Sequence, residues 1–167
     1  MADAAFWFNG WAAPTPYGLG TTVTTTIRRL AAQDRAAWDP LWAAYCAFYR
    51  AEVDATVTAY TFERLCEGTS MSGFIALDEQ GTAVGFTNTL FHESTWSLRS
   101  YCYLEDLFVA PEQRGTGVAR ALIEQVYAEA DARGAERVYW HTQEFNAAAR
   151  SLYDTLARRT SFIVYRR

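Results

Sequence analysis

Little in this sequence could build a staple or a metal site. Its 167 residues include three cysteines and two histidines. Cys46, Cys66 and Cys102 are scattered and odd in number, with no C-x-x-C spacing. They read as reduced thiols in or near the core of an intracellular, cytoplasmic protein rather than as disulfide or zinc partners. His92 and His141 lie too far apart to suggest zinc, so no metal is expected. No stretch approaches the roughly 18 apolar residues of a membrane span, and no membrane partner is expected. The N-terminus lacks the basic and apolar regions of a signal peptide. Positive charge is also not in excess. A net charge of −4 weighs against nucleic acid, whose phosphates need a basic face, and leaves a cationic amine open as partner. Repeats, linkers and low-complexity tracts are absent.

Half of the residues are hydrophobic and 16% are aromatic, which excludes disorder over most of the length. Residues 1–21 form an aromatic arm whose Phe6, Trp7, Phe8 and Trp11 are expected to pack on their own domain or on a neighbouring subunit. Residues 22–167 read as a single domain. Thr21 to Leu30 alternates as a first strand. Asp34 is placed to cap a helix on which Trp38, Leu41, Trp42, Tyr45 and Phe48 recur at helical spacing. A shorter helix fits Thr61 to Glu67, stopped by Gly68. Two strands joined at Asp78-Glu79-Gln80-Gly81 make a hairpin. Tyr101 to Val109 is a further strand, ended by Pro111. A helix from Gly115 to about Arg133 has Val118, Leu122, Val126 and Ala130 on one face and Gly134 as its stop. Arg137 to Thr142 is a short buried strand, Asn146 caps a helix to about Leu156, and "TSFIVYRR" closes the chain as a strand. This order describes one α/β domain, with antiparallel strands first and a strand-helix-strand unit after them.

That unit carries "EQRGTGVAR", Glu112 to Arg120, at its strand-to-helix turn. Glycines there let a ligand come close to the backbone, and the free N–H groups of the following helix favour an anion. A P-loop would need a lysine, and none is near. A dinucleotide fingerprint would need a third small residue where Arg120 stands. A third template, R-x-x-G-x-A, is matched by Arg114, Gly117 and Ala119. A plain turn with convenient glycines is the remaining alternative.

The blocks "CYLEDLFVAPEQRGTGVARALIE" and "RVYWHTQEFNAAARSLY" lie in the order and at the spacing of motifs in the GCN5-related N-acetyltransferases, and the chain resembles that superfamily over residues 22–167. Within it, the strings around Leu104 to Val109, Val138 to Asn146 and Val164 to Arg167 are similar to the fungal histone/polyamine and D-amino-acid acetyltransferases, and "YLED" to the di- and polyamine acetyltransferases. The resemblance implies a mixed, mostly antiparallel central sheet with helices on both faces, its fourth and fifth strands splayed around acetyl-CoA. It also implies that Leu107, Phe108 and Val109 pair with the pantetheine arm, that Arg114, Gly115, Thr116, Gly117, Val118, Ala119 and Arg120 hold the pyrophosphate, and that Asn146 and Arg150 contact the coenzyme further along. A homodimer or larger homo-oligomer is implied too. One departure stands out: Ala157 and Arg158 occupy the place of a glycine-aromatic pair usual in the family.

Acetyl transfer to an amine needs a proton removed, an oxyanion stabilised and a proton returned to the leaving thiolate. At neutral pH only about 10⁻³ of a free alkyl amine is nucleophilic. Glu105 is the candidate base, since a carboxylate in so apolar a strand is costly unless used or paired. Strict alternation would put it with Tyr103 and Leu107 on one face, opposite Leu104, Asp106 and Phe108. Structural ion pairing is the competing role for both carboxylates, and is the favoured one for Asp106. Tyr153, seven residues after Asn146 as in the family, is the candidate acid; a core aromatic is its competing role. Tyr49, Trp96 and Trp140 suggest an aromatic-walled pocket for a small-molecule amine, diamine or amino acid. A peptide or protein amine is the second acceptor class, and a non-catalytic acetyl-CoA-binding module the rival without catalysis.

Overall fold

The computed structural model describes residues 25–167. The aromatic arm and the front of the first expected strand lie outside the described residues. Those described form β1 (Thr26–Arg29), α1 (Arg35–Phe48), α2 (Ala55–Glu67), β2 (Met71–Leu77), β3 (Ala83–Ser94), β4 (Ser97–Val109), α3 (Val118–Ala132), β5 (Arg137–Trp140) and α4 (Ala147–Leu156). The strands lie side by side in chain order. Neighbours from β1 to β4 are antiparallel, and β5 joins β4 in parallel, so the sheet is mixed and mostly antiparallel as expected.

Local chemistry sets the element ends. α2 begins at Ala55, earlier than the expected Thr61, because the Asp54 carboxylate accepts from the Thr56 N–H. Gly68, at φ 69°, ends it. Asp34 precedes α1 but does not cap it. Its carboxylate turns back to accept from the Ala31 N–H and from both terminal nitrogens of Arg28, at 2.9, 2.6 and 2.7 Å. In the β2–β3 turn, Asp78 accepts from the N–H groups of Gln80 and Thr82. Asn146 caps α4 as expected, accepting from Ala149.

The sheet has a core on each face. On one, Trp38 and Leu41 of α1 and Phe62 and Leu65 of α2 pack on Ile75, Phe86 and Phe108. On the other, Val118, Leu122, Ile123, Val126 and Ala130 of α3 pack on Phe74, Ala76, Val84, Val109, Cys102 and Leu104, with Leu152, Tyr153 and Leu156 of α4 alongside. Helices thus cover both faces. The expected closing strand is not formed. Residues 160–167 join no ladder and are exposed throughout, so the β-branched and aromatic run "SFIVY" finds no partner strand to convert it into sheet.

One feature of the sheet positions the site. β5 pairs with β4 only at Tyr101 to Leu104, through Arg137 to Trp140, whereas β4 stays paired with β3 as far as Val109. From Glu105 onward β4 and β5 part. Alternate N–H and C=O groups of β4 then face away from the β3 ladder into the opening.

Candidate active site

Glu105 stands where the strands part. On β3, Asn88 pairs with Asp106 and the next residue, Thr89, pairs with Leu104, so Glu105 is the extra residue of a β-bulge. A bulge re-aims side chains by shifting the two-residue period. Before it, Cys102 and Leu104 face α3; after it, Leu107 and Val109 do, while Phe108 turns to the α1 side. This corrects the expected alternation: Leu104 does not share a face with Asp106 and Phe108, because the bulge changes the parity between them.

The two adjacent carboxylates have different surroundings. Glu105 is exposed and has no ion-pair partner among the described residues. Reduced solvation raises its pKa, and the charge of Asp106 raises it further. Asp106 is 9% exposed. Its Oδ2 accepts from the Asn88 amide at 2.9 Å, and the Tyr45 hydroxyl lies near enough to favour its charged form. Burial raises its pKa against the opposing effect of these two groups. Among the described residues neither carboxylate is in a salt bridge.

Tyr153 lies on α4, its ring edge-on to Trp140 with centroids 5.4 Å apart. Burial pushes its pKa to about 12, and Tyr49 adds to the shift. The hydroxyl makes no hydrogen bond among the described residues. A proton held so firmly is present at any physiological pH, but its transfer to a thiolate is less evenly balanced than for an ordinary tyrosine. Trp140, at the end of β5, thus touches Tyr153, and Tyr49, at the end of α1, is near enough to act on it electrostatically. Trp96 does not join them. It is exposed in the β3–β4 turn, nine residues before Glu105, or about 30 Å at about 3.3 Å per strand residue.

The glycine loop leads into α3. Gly115 and Gly117 have φ of 81° and 95°, which residues with a Cβ rarely adopt, and a Cβ at either would meet nothing within 4 Å. Gly117 is the N-cap, and no side chain caps the helix. The opening turn therefore presents unpaired N–H groups to open space, which is a fit for an anionic pyrophosphate. Val118 is buried, so only its backbone can take part, and Ala119 packs at the edge of the core. Thr116 donates its hydroxyl to the Gln113 carbonyl at 2.7 Å, bracing the loop. The arginines are used locally: Arg114 donates to the Val109 carbonyl at 3.3 Å, and Arg120 to the Thr155 hydroxyl at 2.9 Å. Arg150 donates to the Glu144 carbonyl at 2.7 Å, while Asn146 serves as a cap. Each would have to exchange or share these bonds to reach a coenzyme.

Two groups escaped the sequence reading. Asn88 anchors Asp106, and the signal for it was there, a polar residue in the otherwise buried run of β3. A row of rings also stands beside Glu105, in which His92 meets the Tyr139 hydroxyl at 2.9 Å and Tyr103 meets His141 at 3.1 Å. A cavity of about 560 Å³ lies between α1 and α2, lined by Trp42, Cys46, Val53 and Thr58 among others, and none of the expected site residues lines it. No helix among the described residues is long and apolar enough to cross a membrane.

A strand pair opened beside a bulged carboxylate, above an uncapped glycine-led helix, is the architecture of an acetyltransferase. Residues 38–157 match the acetyltransferase (GNAT) family, and the chain belongs to that family as an acetyl-CoA-dependent N-acetyltransferase. Among its relatives, the D-amino-acid N-acetyltransferase HPA3 of Saccharomyces cerevisiae is 36% identical over 143 residues, covering 84% of this chain and 89% of that protein. A thialysine N-epsilon-acetyltransferase of Caenorhabditis elegans is 32% identical over 59% of this chain and 61% of its own. Among solved structures, the aminoglycoside N-acetyltransferase AAC(6')-Iy in complex with CoA shares the fold, with a TM-score of 0.75 at 20% identity over 92% of this chain and 98% of that one.

Proposed function

We propose that the protein acetylates the primary amine of a small molecule, an amino acid or a small mono- or diamine, by direct attack on acetyl-CoA. Acetyl-CoA supplies the activated acetyl group. Glu105 takes the ammonium proton through a water, and its raised pKa makes it a stronger base than an ordinary glutamate. The backbone of Leu107, Phe108 and Val109 lies along the opening and suits the pantetheine arm as an added strand, with the Leu107 N–H facing the thioester oxygen. The turn from Arg114 to Arg120 suits the pyrophosphate, and Asn146 and Arg150 the coenzyme further along. As the amine nitrogen bonds to the acetyl carbon and the carbon–sulfur bond breaks, Tyr153 gives its proton to the thiolate. Tyr49 and Trp140 wall the acceptor side next to Tyr153; Trp96 would need a neighbouring subunit to take part.

The observation that carries this proposal is the bulge, which sets an unpaired carboxylate at the point where β4 and β5 separate. The small acceptor draws support from relatives named for acting on D-amino acids and on thialysine. A cytoplasmic, self-associating enzyme fits three free cysteines and the exposed Phe162, Ile163, Val164 and Tyr165. Thiol release from acetyl-CoA across amino acids of both hands, mono- and diamines, and peptides tests the assignment. Amine-dependent release with a small molecule is expected; release with peptides alone, or with no amine at all, would contradict it.

A further inference from the structure

We infer that Asp106 is a positioning residue for Glu105: held by Asn88 and Thr87 of β3, it fixes the β4 bulge and keeps a negative charge beside the base. The inference rests on Glu105 being that base. Both ties come from outside β4: the Asn88 amide donates to Oδ2 and the Thr87 hydroxyl donates to the Asp106 backbone carbonyl, each at 2.9 Å. The bulge is thereby pinned on the residue that follows Glu105, so the direction of the Glu105 side chain is set from below.

The state of Asp106 follows from its donors. Asn88 presents an N–H to Oδ2, which a carboxylate accepts, and the nearby Tyr45 hydroxyl also favours the charged form. Asn88 turns its amide nitrogen to Asp106 even though this leaves its own buried Oδ1 without a partner. Such an arrangement favours the charged form of Asp106, in a place where burial alone would disfavour it. The other titratable groups around it are Tyr45, Cys46 and Tyr49 from α1 and Tyr103 and Glu105 from β4. Arginine is not among them. Among the described residues no counter-ion pairs with Asp106, so its charge acts on Glu105 and makes it hold a proton more tightly. A base strengthened in this way accepts the amine's proton more readily, provided the pH is high enough to leave it ionised.

The test is the pH profile of kcat/KM for the best small amine. Asp106→Asn keeps the shape but removes the charge. Its acid limb should move to lower pH, and its plateau should fall on the order of tenfold, with the KM for acetyl-CoA unchanged. Asp106→Glu, which keeps the charge, should return the limb toward that of the parent. Thr87→Val, which keeps the charge and removes the tie to the Asp106 carbonyl, should lower kcat severalfold and leave the limb above that of Asp106→Asn; it carries the test should Asp106→Asn fail to fold. A parent-like acid limb in Asp106→Asn, or a parent-like kcat in Thr87→Val, overturns the inference, even if the melting temperature falls. Glu105→Gln separates the two claims: should the acid limb survive that change, the base assignment has failed rather than the role of Asp106.

Discussion

Gly117→Ala puts the strongest pressure on the coenzyme cradle. At φ 95° a Cβ is strained wherever it points, and the cost of such a conformation is about 1–2 kcal/mol. The Cβ would meet no protein atom within 4 Å, so no further clash adds to that cost. It would, however, stand at the N-cap, in front of the first N–H groups of α3, where the pyrophosphate must come close. One charge-assisted hydrogen bond is worth about 1.5–3 kcal/mol, so displacing the phosphate from one N–H should raise the KM for acetyl-CoA about 10- to 100-fold. Gly81→Ala is the control. Gly81 lies in the β2–β3 turn at φ 79°, also with open space around its Cβ. Both variants should lose a similar few degrees of melting temperature, and only Gly117→Ala should lose affinity for acetyl-CoA. Steady-state kinetics at saturating amine, with calorimetry of both proteins, reads the difference. Equal KM values in the two variants would refute the placement of the pyrophosphate at this helix.

Tyr153→Phe should lower kcat by about 10²-fold or more while leaving the melting temperature within about a degree, because the ring keeps its contact with Trp140 and the hydroxyl has no hydrogen bond among the described residues to lose. A parent-like kcat would remove Tyr153 as the acid. Trp38, fully buried between Trp42, Phe62 and Phe86, should cost about 3–5 kcal/mol of stability as Trp38→Ala, measured by chemical denaturation. Asp34 has its pKa lowered, chiefly by the Arg28 hydrogen bonds. Its stabilisation is therefore present above the unfolded aspartate value of about 3.9 and fades as pH falls through the lower folded value. Parent and Asp34→Asn should differ in denaturation free energy by about 1–3 kcal/mol at pH 7 and converge in strong acid; a gap that persists there would speak against this linkage.

Much of the fold was legible because its signals are local. Gly68 and Gly134 end helices, Asn146 caps one, and Asp78 closes the β2–β3 turn, each through its own neighbours in sequence. Asp34 misled because a distant choice won: Arg28 competes for the carboxylate that would have capped α1. The run "TSFIVYRR" has the composition of a strand, but a strand depends on a partner, and residues 160–167 have none in the sheet. The bulge could not be read at all, since it is a property of the register between β3 and β4. For the same reason Asp106 looked like an ion-pair partner when it is a clamped carboxylate. Trp96 looked like pocket wall because sequence pattern carries no distance along a strand.

The most direct measurement is kcat/KM for the preferred small amine against pH, in the parent and in Glu105→Gln. The parent should lose activity as pH falls through a Glu105 pKa raised above the ordinary glutamate value, because the base must be ionised to accept the proton. Glu105→Gln should fall by about 10²- to 10⁴-fold at neutral pH, and that limb should vanish. A Glu105→Gln variant with the activity and acid limb of the parent would contradict the assignment of Glu105 as the base.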